Sequence, residues 1–341
     1  MMMAHVFDDY SDAVLLAKHE LEREGLASIF DRYEWFERTL AQCPILGQPL
    51  VTRASGHAGD CWLFLSVDDQ GRAQGLGSWY TLAYRPIFTG VANIEEKLRL
   101  LANVAGQLRS RLSTICLSPM HEEDCRLTAE AFRSAGWLAT ARVSDCNWTA
   151  NVAGLCFDEY WAARPGKLRK TVKSKQAKAD MATHIYTHFD EGAWADYEAV
   201  YAQSWKPEEG SMGFLRSMAQ SEGAAGTLRL GIGRIAGEAV AAQLWTCEND
   251  VAIAHKVAHR MSAVALSPGT LLSAKMFEQA IDIDRVARID FGTGDSGYKS
   301  AWMDDCAPLY TLELFNKNRV SAIARAVIAK AKDELRALRS R

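Results

Sequence analysis

No C-x-x-C pair, no apolar run of membrane-spanning length and no large excess of one charge sign occur in this 341-residue chain. Each absence removes a class of protein. The eight cysteines, Cys43, Cys61, Cys116, Cys125, Cys146, Cys156, Cys247 and Cys306, follow no metal-ligand spacing. They read as scattered reduced thiols, and no metal is expected. No stretch approaches the roughly 18–20 apolar residues that cross a bilayer. The opening MMMAHVFDDY turns acidic where the apolar part of a signal peptide would begin. The expectation is a soluble cytoplasmic protein, at most peripheral to the inner face of the membrane. A formal net charge of −3 argues against general nucleic-acid binding, and no nucleic-acid partner is expected.

What is present is ordinary globular material, 48% hydrophobic and 24% charged. The length suits two domains or one large one. The patterning predicts helices over Ser11–Glu24 and Tyr33–Gln42, then strands over Cys61–Val67 and Ala73–Tyr84 joined by an Asp-Asp-Gln-Gly turn. A helix over Ile94–Arg111, a strand over Thr114–Leu117, a helix over Glu123–Ala135 and a strand over Ala141–Thr149 complete the first half. The second half opens with a long basic helix, Phe157–Met181, and a strand over His184–His188. Helices over Glu191–Ser204 and Phe214–Glu222 precede strands over Leu228–Ile235, Ala239–Cys247 and Val251–Ala258. A helix over Thr270–Ile283, strands over Val286–Phe291 and Leu309–Phe315, and a C-terminal helix follow. Both halves repeat the same order of elements without repeating sequence. The fold class is α/β with mixed sheets, divided into residues 1–155, 156–318 and a basic amphipathic helix at 319–341.

The chemistry concentrates between Ala254 and Trp302. Ser267-Pro268-Gly269-Thr270 opens a helix, where unpaired N–H groups and the helix dipole can hold a phosphate. A plain helix start, with Ser267 as N-cap and Pro268 in the first turn, would look the same locally. After the next strand comes a polar loop with Asp290, Asp295, Tyr298 and Lys299, at the strand end where α/β sheets place their reactive groups. General acid–base chemistry needs a proton acceptor and a proton donor within hydrogen-bond or one-water reach of the reacting group. Asp295 is the candidate base, Tyr298 the candidate acid and Lys299 a phosphate or carboxylate contact; the competing reading is a turn that satisfies its own backbone. His255 and His259 lie four apart on a strand, with no third ligand nearby in sequence. His255 is kept as a base or substrate contact against a packed or exposed histidine.

The sequence at Ser267-Pro268-Gly269-Thr270-Leu271-Leu272, Asp290-Phe291-Gly292-Thr293-Gly294-Asp295 and Tyr298-Lys299 resembles GNAT acyltransferases. The similar branch is that of FemAB and of the cellulose-biosynthesis-type polysaccharide proteins. Pro165-Gly166-Lys167-Leu168-Arg169-Lys170-Thr171 and Ser204-Trp205-Lys206 match that branch in kind. The match spans roughly residues 155–316, and the first half fits by architecture. The resemblance implies two tandem GNAT-like domains and transfer of an acyl group from a thioester to an amine. GNAT proteins seat the cofactor pyrophosphate on a Q/R-x-x-G-x-G/A turn; here Ala265–Thr270 holds one glycine. Acyl-CoA is the expected donor, with an acyl-carrier protein or an aminoacyl-tRNA left open. Ser267, Gly269, Thr270 and Lys299 are then the cofactor contacts, and Trp205 and Lys206 the acceptor contacts.

Two basic surfaces bear on the acceptor. Arg164–Lys178 carries seven cations and no acid, and the C-terminal helix sets Val320, Ile323, Val327 and Ile328 at helical spacing among arginines and lysines. A solvated face and docking on the protein's own body are the structural readings. Contact with an anionic membrane is the functional one. On that basis the favoured acceptor is a lipid amine, such as a sphingoid base acylated to a ceramide, as in a bacterial ceramide synthase. The alternatives are a small-molecule acceptor such as an amino sugar of a surface polysaccharide, and a FemAB-like aminoacyl-tRNA-dependent transfer.

Overall fold

The computed structural model describes residues 3–7, 10–294 and 297–339. It contains two compact units: unit 1 is Met1–Asp145 with Pro308–Arg341, and unit 2 is Cys146–Ala307. Unit 1 begins with β1 (Met3–Phe7), α1 (Tyr10–Glu20), α2 (Tyr33–Gln42), β2 (Gln48–Ser55), β3 (Asp60–Val67), β4 (Arg72–Gly75) and β5 (Ile87–Thr89). It continues through α3 (Ile94–Leu108), β6 (Thr114–Met120) and α4 (Glu122–Ser134), and the chain leaves it along β7 (Trp137–Asn151). Unit 2 holds α5 (Phe157–Ala162), α6 (Gly166–Ala179), β8 (Ala182–Tyr186), α7 (Glu191–Ala202) and α8 (Met212–Ala224). Then come β9 (Leu228–Ile235), β10 (Glu238–Glu248), β11 (Val251–His259), α9 (Pro268–Glu278) and β12 (Arg288–Thr293). The chain re-enters unit 1 along β13 (Asp305–Asn316) and ends in α10 (Val320–Arg339). The compact units therefore differ from the chain-order division at 155 and 318. Strand β13, continuous in sequence with unit 2, pairs with β6 of unit 1 through Tyr310–Phe315.

In unit 1 the strands run β1-β2-β3-β4-β6-β13, with β5 on β3. Six consecutive residues of β3, Cys61–Ser66, are buried, so both of its faces are covered. Leu63 and Leu65 pack with Leu100, Val104 and Phe132 of the following helices, while Trp62 and Phe64 pack with Phe36 and Ala17. β1 and β2 were not anticipated, and the strand expected over Ala73–Tyr84 is only β4. Tyr84 instead folds back so that its ring lies where a side chain on Gly75 would be, and its hydroxyl donates to the Phe64 carbonyl. Among the described side chains of α10, Ala322 is buried, and Val320, Ile323, Val327 and Ile328 are exposed.

In unit 2 the order is β7-β12-β11-β10-β9-β8. The meander β9–β10–β11 turns at Ala236-Gly237 and Asn249-Asp250, where both central residues have positive φ, as the right-handed twist of a tight hairpin requires. Nine consecutive residues of β10 are buried. Trp245, Phe277, Phe291 and Trp302 form the aromatic centre of this core. Helix α9 connects two parallel strands, β11 and β12, as a crossover must. The single helix expected over Phe157–Met181 is broken between Ala162 and Gly166, because Pro165 has no N–H to continue the ladder. Arg164, in that break, is buried: it stacks on Tyr160 and binds the Trp302 carbonyl and Asp304. It therefore does not belong to the solvated basic face.

Cys146 and Cys306 form a disulfide, which corrects the expectation of reduced thiols throughout. Residues 160 apart in sequence carry no spacing signal; β7 and β13 bring their Cα atoms to 5.7 Å. The bridge ties together the two ends of unit 2. Replacing both cysteines by serine is expected to lower the stability of unit 2 by about 2–4 kcal/mol, because the open loop regains chain entropy when unfolded. Equal urea midpoints for wild type and variant would show that the bridge adds nothing.

Candidate active site

The parallel pairing of β11 with β12 lasts for three residues, Val251–Ile253 against Arg288–Asp290. Two irregularities end it. On β11, Lys256 pairs with Leu244 and Ala254 with Trp245, so His255 is a bulge that re-aims the strand. On β12, the register against β7 shifts between Asp290 and Thr293. Asp290 accepts from Asn147 Nδ2 and from the Gly292 N–H, both at 2.9 Å, which holds that kink. The wedge opened between the strands is a pocket of about 510 Å³. Trp205, Lys206, His255, His259, Ser267, Gly269, Thr270, Tyr298 and Lys299 all line it. Val257, Val264 and Phe291 supply an apolar wall. The residues singled out from sequence thus meet in one place, except Asp290, whose carboxylate holds the kink and does not line the pocket, and Asp295, which lies outside the described residues.

The α9 entry differs from the expected one. Ser267 adopts a left-handed conformation (φ 54°) and its side chain does not cap the helix. Its carbonyl accepts from the N–H groups of Thr270 and Leu271, at 3.0 and 3.1 Å. Pro268 has no N–H, so among the first helical residues only Gly269 keeps a donor without an acceptor among the described residues. The anion cradle is one N–H, with the Ser267 and Thr270 side chains beside it. Gly269 is needed for a second reason: a Cβ there would lie 2.9 Å from His259 Nδ1. His259 in turn packs at a tilt against Trp205, ring centroids 4.3 Å apart.

A buried polar chain that sequence reasoning missed supports Tyr298. Its hydroxyl lies 2.7 Å from Ser273 Oγ, which accepts from Gln243 Nε2 at 2.8 Å. Gln243 Nε2 also donates to the Gly269 carbonyl at 3.2 Å, and its Oε1 accepts from Trp245 Nε1 at 3.0 Å. Gln243 and Ser273 are fully buried. The one legible signal was a lone glutamine inside the apolar run Ala239–Trp245, since a buried amide must find partners. Burial raises the Tyr298 phenol to about 12, against opposing hydrogen bonds from Ser273 and Trp302, so it stays protonated and able to donate. Lys299 donates to the Thr293 carbonyl, closing the base of the polar loop.

His255 Nε2 lies 2.9 Å from Thr246 Oγ1. Burial lowers its pKa to about 4, with the Lys256 charge acting in the same direction and Glu222 opposing. The ring is therefore neutral near pH 7. Glu209 is ion-paired with Lys256 at 2.8 Å, both side chains being nearly buried. Among the described residues no group of three or more His, Cys, Asp and Glu side chains could hold a metal ion.

The unfolded chain's His255 takes up a proton below its ordinary 6.5, whereas the folded one does so only near 4. Its contribution to stability is full above pH 6.5 and is lost as pH falls toward 4. His255→Gln is expected to remove that part of the slope, a difference on the order of 2 kcal/mol across the window. Urea denaturation at pH 7 and pH 4.5 measures it, and identical pH dependence in the two proteins would show that His255 is not held neutral.

Residues 166–300 match the family model described as an acetyltransferase (GNAT) domain. No curated protein matches the chain. Among solved structures, FemX is similar with a TM-score of 0.59 at 8% identity, over 92% of this chain and 96% of that one. The C-terminal DUF2156 domain of an Agrobacterium fabrum protein assigned as a lysylphosphatidylglycerol synthetase gives 0.56 at 10% identity, over 94% and 97%. The L-PGS of Bacillus licheniformis gives 0.53 at 12% identity, over 92% and 97%. At these identities the likeness is one of fold, and it extends over nearly the whole chain. Residues 166–300 are a GNAT acetyltransferase domain, carried in a chain whose mixed α/β fold is like that of FemX and of the DUF2156 domain over nearly its whole length.

Proposed function

We propose that the pocket of unit 2 joins an activated acyl group to a primary amine in the FemAB-like manner, with an aminoacyl-tRNA as donor. The observation that carries the site is the divergence of β11 from β12 beyond Ile253, which leaves the β11 edge lining a pocket beside the α9 entry. In this scheme the acyl carbonyl lies along β11, whose backbone donors meet the oxyanion as the amine attacks. The nitrogen–carbon bond forms, the bond to the leaving oxygen breaks, and neutral His255 accepts the proton from nitrogen. Tyr298 gives its proton to the leaving group and regains one from solvent in the pocket that it lines.

Two observations favour a carrier larger than CoA. The α9 entry offers one free N–H instead of a run of them, a thin hold for a pyrophosphate. Helix α6 presents Lys167, Lys170, Lys173 and Lys178 to solvent, with no ion-pair partner among the described residues, a local positive surface that the net charge of −3 conceals. The fold likeness to FemX supports the same choice. The second reading keeps acyl-CoA as donor and a lipid amine as acceptor. Val257, Val264, Phe291 and Trp205 favour it, because they give the pocket an apolar wall suited to a hydrocarbon chain.

The test is to supply charged tRNA, or acyl-CoAs of graded length, with a panel of primary amines and to follow product mass and free thiol. Product from charged tRNA that declines steeply with salt supports the first reading. Product only from acyl-CoA, with thiol released, replaces it by the second. With whichever donor turns over, Tyr298→Phe is expected to lower kcat by about 10²-fold or more at similar donor KM. Gly269→Glu is expected to raise donor KM about tenfold or more, by placing a side chain and a negative charge at the α9 entry. Wild-type kinetics in both variants would remove the reaction from this pocket.

A further inference from the structure

Lys206 is the cation in this pocket that the fold does not use. It follows Trp205 in the loop after α7 and lines the wall of the wedge. Its ammonium lies 5.7 Å from the Trp205 ring centroid and has no hydrogen-bond or ion-pair partner among the described residues. The nearby carboxylate, Glu209, is already held by Lys256 and by the Tyr201 hydroxyl. His255 and His259 are shifted toward their neutral forms by burial. With Glu209 paired to Lys256, Lys206 is the cation of this wall that no carboxylate contacts among the described residues. Burial, with Lys256 nearby and Glu209 opposing, lowers the Lys206 pKa below its ordinary value, so a positive charge held there carries a desolvation cost that a bound anion offsets.

The two sides of the wedge differ in what they can hold. On β10, Gln243 and Trp245 face α9 through Ser273, Gly269 and Phe277. Thr246, of opposite parity, faces away and meets His255. The Gly269 N–H lies on the α9 side. Lys206 enters from the loop between α7 and α8, the latter carrying the Glu222 that acts on His255. We infer that Lys206 is an anion subsite for the acceptor, so that the amine acylated here also carries a phosphate or carboxylate, with its carbon body against Trp205, Val257 and Phe291. This deepens the acyl-transfer reading above and rests on it for the word acceptor.

The subsite is tested by calorimetric titration of the full chain with octyl phosphate and, as the uncharged match, octanol. Octyl phosphate is expected to bind about tenfold or more tightly than octanol, the worth of one charge-assisted contact. Lys206→Met is expected to abolish that difference while leaving octanol unchanged, and Lys206→Arg to keep most of it. Equal binding of the two probes by wild type, or undiminished preference in Lys206→Met, overturns the subsite. Coenzyme A added to the octyl phosphate complex separates the two sources of the anion. Joint occupancy supports the acceptor, and displacement overturns that assignment. The titration needs no turnover, so a failed transfer assay and a missing anion subsite are independent results.

Discussion

Three residue pairs, Val251–Arg288, Ala252–Ile289 and Ile253–Asp290, hold β11 beside β12, and the site depends on their being three and no more. A parallel pair normally continues until one strand ends, because each further residue satisfies backbone groups that are otherwise costly to bury. Here the His255 bulge and the Asp290 kink stop it while both strands still run. The backbone left unpaired is then available to a ligand. Asn147 and the Gly292 N–H hold the Asp290 carboxylate, which makes the opening a fixed feature of the fold.

A second constraint follows from the depth of the wedge. Helix α9 is buried on nearly every side, so a polar group at its start must be satisfied from the sheet. Gln243 does this, donating to the Gly269 carbonyl and to Ser273, and Ser273 meets Tyr298. One amide thereby positions both the helix entry and the phenol across the pocket. From the other end, Arg164 and Tyr160 bind the Trp302 carbonyl and fix the far end of the polar loop. A residue that belongs by sequence to a basic run acts here as a tie for the loop bearing Tyr298 and Lys299.

Much of the fold was legible from local pattern. The strand Leu228–Ile235 matches its expected bounds, and the turns at Ala236-Gly237 and Asn249-Asp250 lie where expected, because alternation and turn chemistry act over a few residues. The break at Pro165 is legible in the sequence, since proline cannot continue a helix ladder, although the basic run on either side of it favours one long helix. Strand β1 carried too little pattern, and the residues after Gly75 were read as strand although Tyr84 turns back on β3. Of the site, His255, Gly269, Tyr298 and Lys299 carry local signals and Trp205 and Lys206 enter through the family resemblance, whereas their meeting in one pocket requires the fold. The side-chain cap of a plain helix start does not form at Ser267, since a left-handed serine is set by the path of the chain into α9.

By itself the sequence determined the kinds of element, their order and the segment that carries the chemistry. These follow from side-chain periodicity, from Gly and Pro backbone limits, and from the concentration of Gly, Asp, Tyr and Lys between Ala254 and Trp302. The tertiary structure alone decided which N–H at the α9 entry is free, that Cys146 meets Cys306, that Glu209 is taken by Lys256, and that Lys206 is left over. Each of these depends on groups far apart in the chain competing for the same partner. Such competition is settled only when the strands and helices have packed, because burial then makes every unpaired polar group costly and every available partner count.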